Sequence, residues 1–389
     1  MVTGDAGYIK KINRSVILSK IIEHKLISRA ELAKVTGLNK ATISVQVSDL
    51  LAESLIIESQ LEHNNIGRRP IMLSINPQAG FVLGIDLDRE TITFQLADLM
   101  GRPVSTEVVQ LETSNYDVIL TQLILNIKEF EGRCSHSLYG LTGVVIGIHG
   151  IVNIDETIYF VPHLQWKNKD LKKDLLNGLE LNIFIENNAN LCAFAEKIFN
   201  YHRAEYLLTV TLYSGIGLGN IVNGETLKGF HGYAGEIGHM IVVPYGKPCS
   251  CGNRGCWEQY ASESGFMKIL SDRTDERHLQ HGEIQQWIAA KETITCSLLE
   301  DYIKFLSIGV NNIINLYNPE ILVLNSELLR LYPDAITEIK SLLSSSVGHC
   351  REIELSHYGK QACIMGACAL AIKNFLGVSE LRLSMDDVS

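Results

Sequence analysis

No stretch of the chain is apolar for the roughly 20 residues that a bilayer-crossing helix needs, so no membrane role is expected. Nor do the opening residues MVTGDAGYIKK contain the apolar segment of an export signal, which makes a cytoplasmic location the expectation. Proline is scarce, at 8 residues in 389, and neither low-complexity tracts nor short-period repeats are present. That excludes solenoids and Pro-rich linkers. A global excess of basic charge is also lacking, since the formal net charge is −10. The nine cysteines are odd in number and do not form a disulfide framework. What remains is a globular composition, 46% hydrophobic and 20% charged, with length for two or three domains.

The acidic total hides an asymmetry. Residues 1–76 hold 10 Lys and Arg against 7 Asp and Glu, whereas the remainder holds 24 against 37. A basic head on an acidic body suits a protein that meets a polyanion through its head alone. The head reads as three helices. Ile12, Val16, Ile17 and Ile21 have helical spacing, and Ser28 with Glu31 forms a capping-box pattern ahead of a second helix ending at Gly37. Asn39 caps a third. Two β-prone pieces, LIIES and PIMLSIN, flank a polar tip carrying Arg68 and Arg69.

This is the pattern of a winged helix-turn-helix. Ala33, Gly37 and Ile43 supply the small crossing residue, the positive-φ turn and the inward apolar residue that the motif requires. Ser28, Arg29, Asn39, Lys40, Thr42, Ser44, Gln46 and Ser48 are read as outward, hydrogen-bonding groups for phosphates and base edges. Arg68 and Arg69 are read as a groove or backbone probe.

From Ala79 the texture becomes α/β. FVLGIDL, GVVIGIHGIV, NIFIEN, YLLTVTLY and EILVLNS are short apolar runs alternating with helical stretches, which predicts sheets covered by helices. Glu236-Ile-Gly-His239 is followed by Cys249-x-Cys251-x4-Cys256-Trp-Glu258. One histidine and three close cysteines fit a closed tetrahedral zinc site, with Gly252 and Gly255 allowing the tight path. Such a site would hold Glu236 and Glu258 as fixed acceptors. The other six cysteines, Cys134, Cys192, Cys296, Cys350, Cys363 and Cys368, read as packed thiols.

The ExGH and CxCGxxGCxE motifs from Glu236 to Glu258 resemble the ROK family of bacterial sugar kinases and sugar-responsive repressors, and the likeness extends over nearly the whole chain. Within that family, ISRAEL, TGLNKATIS and GRRP in the head, with GIHGIVN and FIENNAN in the body, resemble its xylose-responsive repressors. The resemblance implies an actin-like, RNase H-like two-lobed body of the sugar-kinase type. It implies structural zinc on His239, Cys249, Cys251 and Cys256. It also implies sugar hydroxyls bound by Gly150, Asn187, Asn188, Glu236, His239 and Glu258, with Trp166 and His163 as candidate walls. The expected division is head 1–76, first lobe 77–200 and second lobe 201–389, with a C-terminal helix that can return to the first lobe.

Three departures argue against phosphoryl transfer. The Asp that serves ROK kinases as base is Asn188 here, and an amide cannot take the proton. Asp88-Arg89-Glu90 replaces the first phosphate loop, and Asn325-Ser326-Glu327 stands where the family has a Gly-Gly. Only Ser214–Gly219 keeps the look of a phosphate loop. The expectation is therefore a non-catalytic repressor, without ATP, acting as a homodimer on operator DNA. Xylose is the first candidate effector, then glucose or another aldose. The rival readings are an active sugar kinase with a DNA-binding head and a repressor controlled by a protein partner.

Overall fold

The computed structural model describes residues 6–60, 70–276, 279–346, 348 and 350–384. Arg68 and Arg69 lie outside the described residues. The chain begins with α1 (Ala6–His24), followed by β1 (Ile27–Ser28), α2 (Arg29–Thr36) and α3 (Lys40–Ala52). β2 (Ile56–Gln60) and β3 (Ile71–Ile75) complete a three-stranded antiparallel sheet of order β1-β3-β2. The two-residue β1 extends the expected two-stranded wing. Ser28 Oγ accepts the Glu31 N–H at 3.2 Å, and Asn39 Oδ1 accepts the Thr42 N–H at 2.8 Å, so each of the two helices is opened by a polar cap. Gly37 between them has φ +69°, a left-handed turn that costs glycine little. Ile17, Ile21, Leu32, Ile43, Val47, Leu50 and Leu73 are buried as the head's own core. Ile12, placed by its spacing on the same stripe, is exposed.

β4 (Phe81–Leu87), β5 (Thr91–Asp98), β6 (Pro103–Gln110), α4 (Tyr116–Arg133) and β7 (Leu141–Ile148) follow. Next come β8 (Ile151–Val152), β9 (Ile158–Val161), β10 (Trp166–Lys169), α5 (Leu171–Leu176) and β11 (Ile183–Asn187). The main sheet has order β11-β7-β4-β5-β6, with β11, β7 and β4 parallel and β4-β5-β6 antiparallel. β5 and β6 are strands that the apolar runs did not mark. β6 is an edge strand alternating between exposed and half-buried residues, so its apolar content is low.

After α6 (Asn188–Phe199) the same topology recurs. β12 (Tyr206–Thr211), β13 (Gly217–Val222) and β14 (Glu225–Thr226) form an antiparallel meander, followed by α7 (Glu258–Ala261), α8 (Glu263–Thr274), α9 (His281–Ala289) and α10 (Thr293–Tyr317). β15 (Ile321–Asn325), α11 (Glu327–Arg330), α12 (Ala335–Leu342), β16 (Glu352–Leu355) and α13 (Ala362–Leu376) complete it. The second sheet has order β14-β13-β12-β15-β16, with β12, β15 and β16 parallel. In both sheets the first strand lies between its antiparallel neighbour and the parallel fourth. The architecture is thus one α/β plan used twice.

The chain separates into two compact units, residues 1–187, 198–202 and 364–389 in the first and 188–197 and 203–363 in the second. Each has its own apolar core. Within the first unit, α13 packs on β4 at Gly84, where an added Cβ would stand 2.7 Å from Cys368 Sγ. Beyond α13 the chain runs back along the head. Ser379 N–H donates to Ser15 Oγ at 2.9 Å, Ser19 Oγ donates to the Glu380 carbonyl at 2.7 Å, and Arg382 pairs with Glu23. Leu381 within this strap and Leu383 just after it are buried. Among the described residues no helix is long and apolar enough to cross a membrane.

Candidate metal, effector and DNA sites

The stretch from Gly235 to Glu258 folds back on itself because two glycines permit it. Gly252 has φ +97° and Gly255 φ +85°, and a side chain at Gly255 would overlap the Val243 carbonyl oxygen. That path gathers His239, Cys249, Cys251 and Cys256, whose ligand atoms all lie within 4.8 Å of one another. Cys249 Sγ is 3.6 Å from His239 Nδ1, and Cys251 Sγ is 3.7 Å from Cys256 Sγ. Tetrahedral zinc, with bonds of about 2.3 Å to sulfur and 2.0 Å to nitrogen, requires ligand–ligand edges of about 3.5–3.8 Å. The donor set and its spacing fit that ion.

Glu258 Oε1 lies 3.1 Å from Cys249 Sγ and 3.6 Å from His239 Nδ1, while His239 Nε2 faces Glu236 Oε2 at 3.9 Å. The imidazole therefore turns one nitrogen toward the thiols and the other toward a carboxylate. Burial raises the Glu236 carboxyl above its usual range, His239 opposes that shift, and Glu258 adds to it. In the first unit Asn187, the last residue of β11, donates its Nδ2–H to the Gly150 carbonyl at 2.8 Å. Gly150 has no room for a side chain, which would overlap the Phe160 carbonyl oxygen. Asn188 follows Asn187 as the first residue of α6. Of the six sugar candidates, Gly150 and Asn187 belong to the first unit, and Asn188, Glu236, His239 and Glu258 to the second.

Trp166 is not a wall. It is buried, its ring meets Tyr116 edge-on at 4.9 Å, and its Nε1–H donates to the Ser114 carbonyl at 2.9 Å. His163 is partly buried, and desolvation holds its pKa below the ordinary value. An unforeseen group stands at the carboxyl end of the main sheet. His149, just past β7, places Nε2 2.8 Å from Asp86 Oδ1 and Nδ1 3.4 Å from Asp88 Oδ1. Sequence reasoning missed it because the partners are about 60 residues apart and meet only through the parallel pairing of β4 with β7.

The positions expected to cradle nucleotide phosphates are occupied by side-chain contacts. Asn325 is fully buried, accepting from the Tyr213 hydroxyl at 2.8 Å and donating to the Gly359 carbonyl at 3.0 Å. Ser326 Oγ donates to Glu263 Oε1, which also accepts the Leu328 N–H at 3.0 Å. Gly217 and Gly219, read as part of a phosphate loop, lie within β13. Their bareness serves packing, because a Cβ on Gly219 would overlap the Ala189 carbonyl oxygen of α6.

The ROK family profile matches residues 82–374. The chain belongs to the ROK family. It is 35% identical to the xylose repressor of Bacillus subtilis (strain 168), over 96% of this chain and 98% of that protein. The crystal structure of a ROK family transcriptional regulator, a homologue of the E. coli MLC protein, superposes with a TM-score of 0.82 at 27% identity, covering 95% of this chain and 96% of that one. A ROK glucokinase from Streptomyces griseus, solved with glucose and AMPPNP, has a TM-score of 0.66 at 23% identity, over 75% of this chain and 99% of that one. The glucokinase shares the fold of the body.

The ROK profile starts after the head, whose outer face is therefore read from its own geometry. On α3, Lys40, Ser44 and Ser48 are exposed and Thr42 is half-buried, while Asn39 at its cap remains exposed. Gln46 is not outward. It is buried at 4% exposure, on the stripe of Ile43, Val47 and Leu50, because three residues after Ile43 is nearly a full helical turn. Its Oε1 has no hydrogen-bond partner among the described residues. Val45 is 57% exposed and takes the place on the outer face expected for Gln46. Ser28 is engaged as a cap, and Arg29 pairs with Glu58 at 2.8 Å.

Proposed function

We propose that this chain is a sugar-responsive transcriptional repressor that binds operator DNA through a winged helix-turn-helix and is released by xylose. The observation that carries the reading is the 35% likeness to a xylose repressor across 96% of the chain, head and body together. The proposed division is a DNA-binding head 1–76, a first lobe 77–200 and a second lobe 201–389, acting as a cytoplasmic homodimer. Dimeric heads meet half-sites about one DNA turn, or a multiple, apart.

In this reading Ser28, Arg29, Asn39, Lys40, Thr42, Ser44 and the wing arginines Arg68 and Arg69 contact DNA. Val45 offers a thymine methyl an apolar neighbour. Zinc on His239, Cys249, Cys251 and Cys256 is structural and supplies no chemistry of its own. It ties down the loop bearing Glu236 and Glu258. Gly150, Asn187, Asn188, Glu236, His239 and Glu258 then meet sugar hydroxyls, which both donate and accept and so select fixed amides and carboxylates. The effector must bind more tightly to the arrangement that holds DNA poorly, and that difference sets the size of the response.

The same body is proposed to have no kinase activity. Asn188 provides no base, and the Asn325 and Ser326 side chains are committed to internal hydrogen bonds. The test is fluorescence anisotropy of a labelled DNA fragment from upstream of this gene or of neighbouring sugar genes, titrated with protein and then with xylose. Salt-sensitive binding reversed by xylose, but not by a control polyol, is expected. Binding that ignores xylose and yields to another aldose would move the assignment to that sugar. Sustained ADP production from ATP and an aldose would replace the repressor reading with a kinase.

A further inference from the structure

The parallel strands β4, β7 and β11 end side by side, with Asp86 opposite Gly147 and Ile148 opposite Asn187. Ligands of α/β sheets are met at such carboxyl ends. Here that end carries a linked set of contacts. His149 sits between two carboxylates, at 2.8 Å from Asp86 and 3.4 Å from Asp88. Its backbone continues directly into Gly150, whose carbonyl receives the Asn187 amide at 2.8 Å. The Phe160 carbonyl of β9 closes the other side of Gly150.

A neutral imidazole has one N–H and can donate to only one carboxylate, whereas an imidazolium can donate to both. Burial lowers the His149 pKa, but Asp86, by charge and hydrogen bond, and Asp88, by charge, outweigh it and push the value up to about 9. Near the cluster, His163 is itself held down by burial and by the His149 charge, and Arg89 lowers it further. Asp86 and Asp88 are therefore bound to an internal cation, in the segment where a kinase of this family would cradle phosphate.

Resting on the effector reading above, we propose that His149 is a positioning residue for the sugar. Clamped between Asp86 and Asp88, it fixes the turn at Gly150 so that Gly150 and Asn187 present one arrangement to a sugar hydroxyl.

The experiment uses the full chain. Histidine-selective NMR on the sugar-free protein follows the titration of His149 in wild type, D86N and D88N. Calorimetric titration with xylose, from about pH 6 to 8, compares those proteins with H149Q. Wild-type His149 should stay protonated through pH 8, with xylose affinity flat as far as this group sets it. In D86N the imidazole should titrate near its ordinary range, and xylose affinity should fall as pH rises through it. H149Q should bind xylose at least about tenfold more weakly, since a charge-assisted contact is lost. Operator binding and the melting temperature of H149Q establish that it is folded, and D88N provides a milder variant should it not be. If H149Q or D88N binds xylose as wild type does at every pH, or if wild-type His149 titrates near 6.5, the proposal is overturned. If wild type itself binds neither xylose nor any aldose of a panel, the effector reading has failed, and this role falls with it.

Discussion

At Gly255 the backbone sits at φ +85° with the Val243 carbonyl where a side chain would go. The obstacle is backbone, so it cannot swing aside. Gly255→Ala should cost at least about 2 kcal/mol, combining left-handed strain with a rigid overlap, and should loosen the metal loop. Thermal unfolding together with zinc content per chain checks it; an unchanged melting temperature with full metal would refute the packing account. Glu263 gives a second prediction. Burial raises its pKa to about 7, against hydrogen bonds from Ser326 and the Leu328 N–H that lower it. A carboxyl whose folded pKa lies above its unfolded value contributes stability that is fully present below about pH 4.5 and lost as pH rises through about 7. Glu263→Gln keeps an acceptor without the charge, so the variant should melt above wild type at pH 8 and the gap should close toward pH 5. A constant gap across that window would show that ionisation is not responsible.

The pair of helices α2 and α3 shows how far a sequence can be read at the scale of one element. The caps of α2 and α3, Ser28 and Asn39, and the Gly37 turn between them are legible because each depends on neighbours within four residues. Gln46 was placed outward by its chemistry, but the helical period sets it on the inner stripe and leaves Val45 outside. Gln46→Leu should therefore leave operator affinity unchanged, and stability equal or higher by about 1 kcal/mol, since an unpaired buried oxygen is removed. Lys40→Ala should weaken operator binding and lower the slope of log K against log salt by about 1, as one phosphate contact is lost. Binding isotherms at several salt concentrations separate the two variants. A loss of affinity in Q46L matching that of K40A would return Gln46 to the DNA face. The metal cluster was legible for the same local reason as the caps, its four ligands lying within 18 residues of chain. β5 and β6 were not: β6 is an edge strand with little apolar signal, and in β5 Thr91, Thr93 and Gln95 break up the apolar run. The His149 clamp was not, because nothing local announces a partner that only strand pairing supplies.

Across the whole molecule, the repetition of one sheet plan was invisible to the sequence. The two halves share topology, but their side chains follow different packing demands. Gly217 and Gly219 show the consequence: bare residues that suggest a loop are placed in a strand by the helix lying on it. The metal makes its prediction at this scale. Removing zinc with a strong chelator should lower the melting temperature and abolish sugar binding, while operator binding by the head outlasts both, since the loop holding Glu236 and Glu258 loses its anchor. Simultaneous loss of operator binding and sugar binding on chelation would tie the head's integrity to the metal. Elemental analysis, calorimetry and anisotropy on one chelated sample decide between them.

The strap that runs from Ser379 to Arg382 along α1 joins residues about 360 positions apart in the chain. A ribosome makes α1 about 360 residues before it makes the strap. The head can therefore assemble its own small core well before α1 meets Ser379, Glu380 and Arg382. A prematurely terminated chain would display a folded head whose first helix has never been fastened.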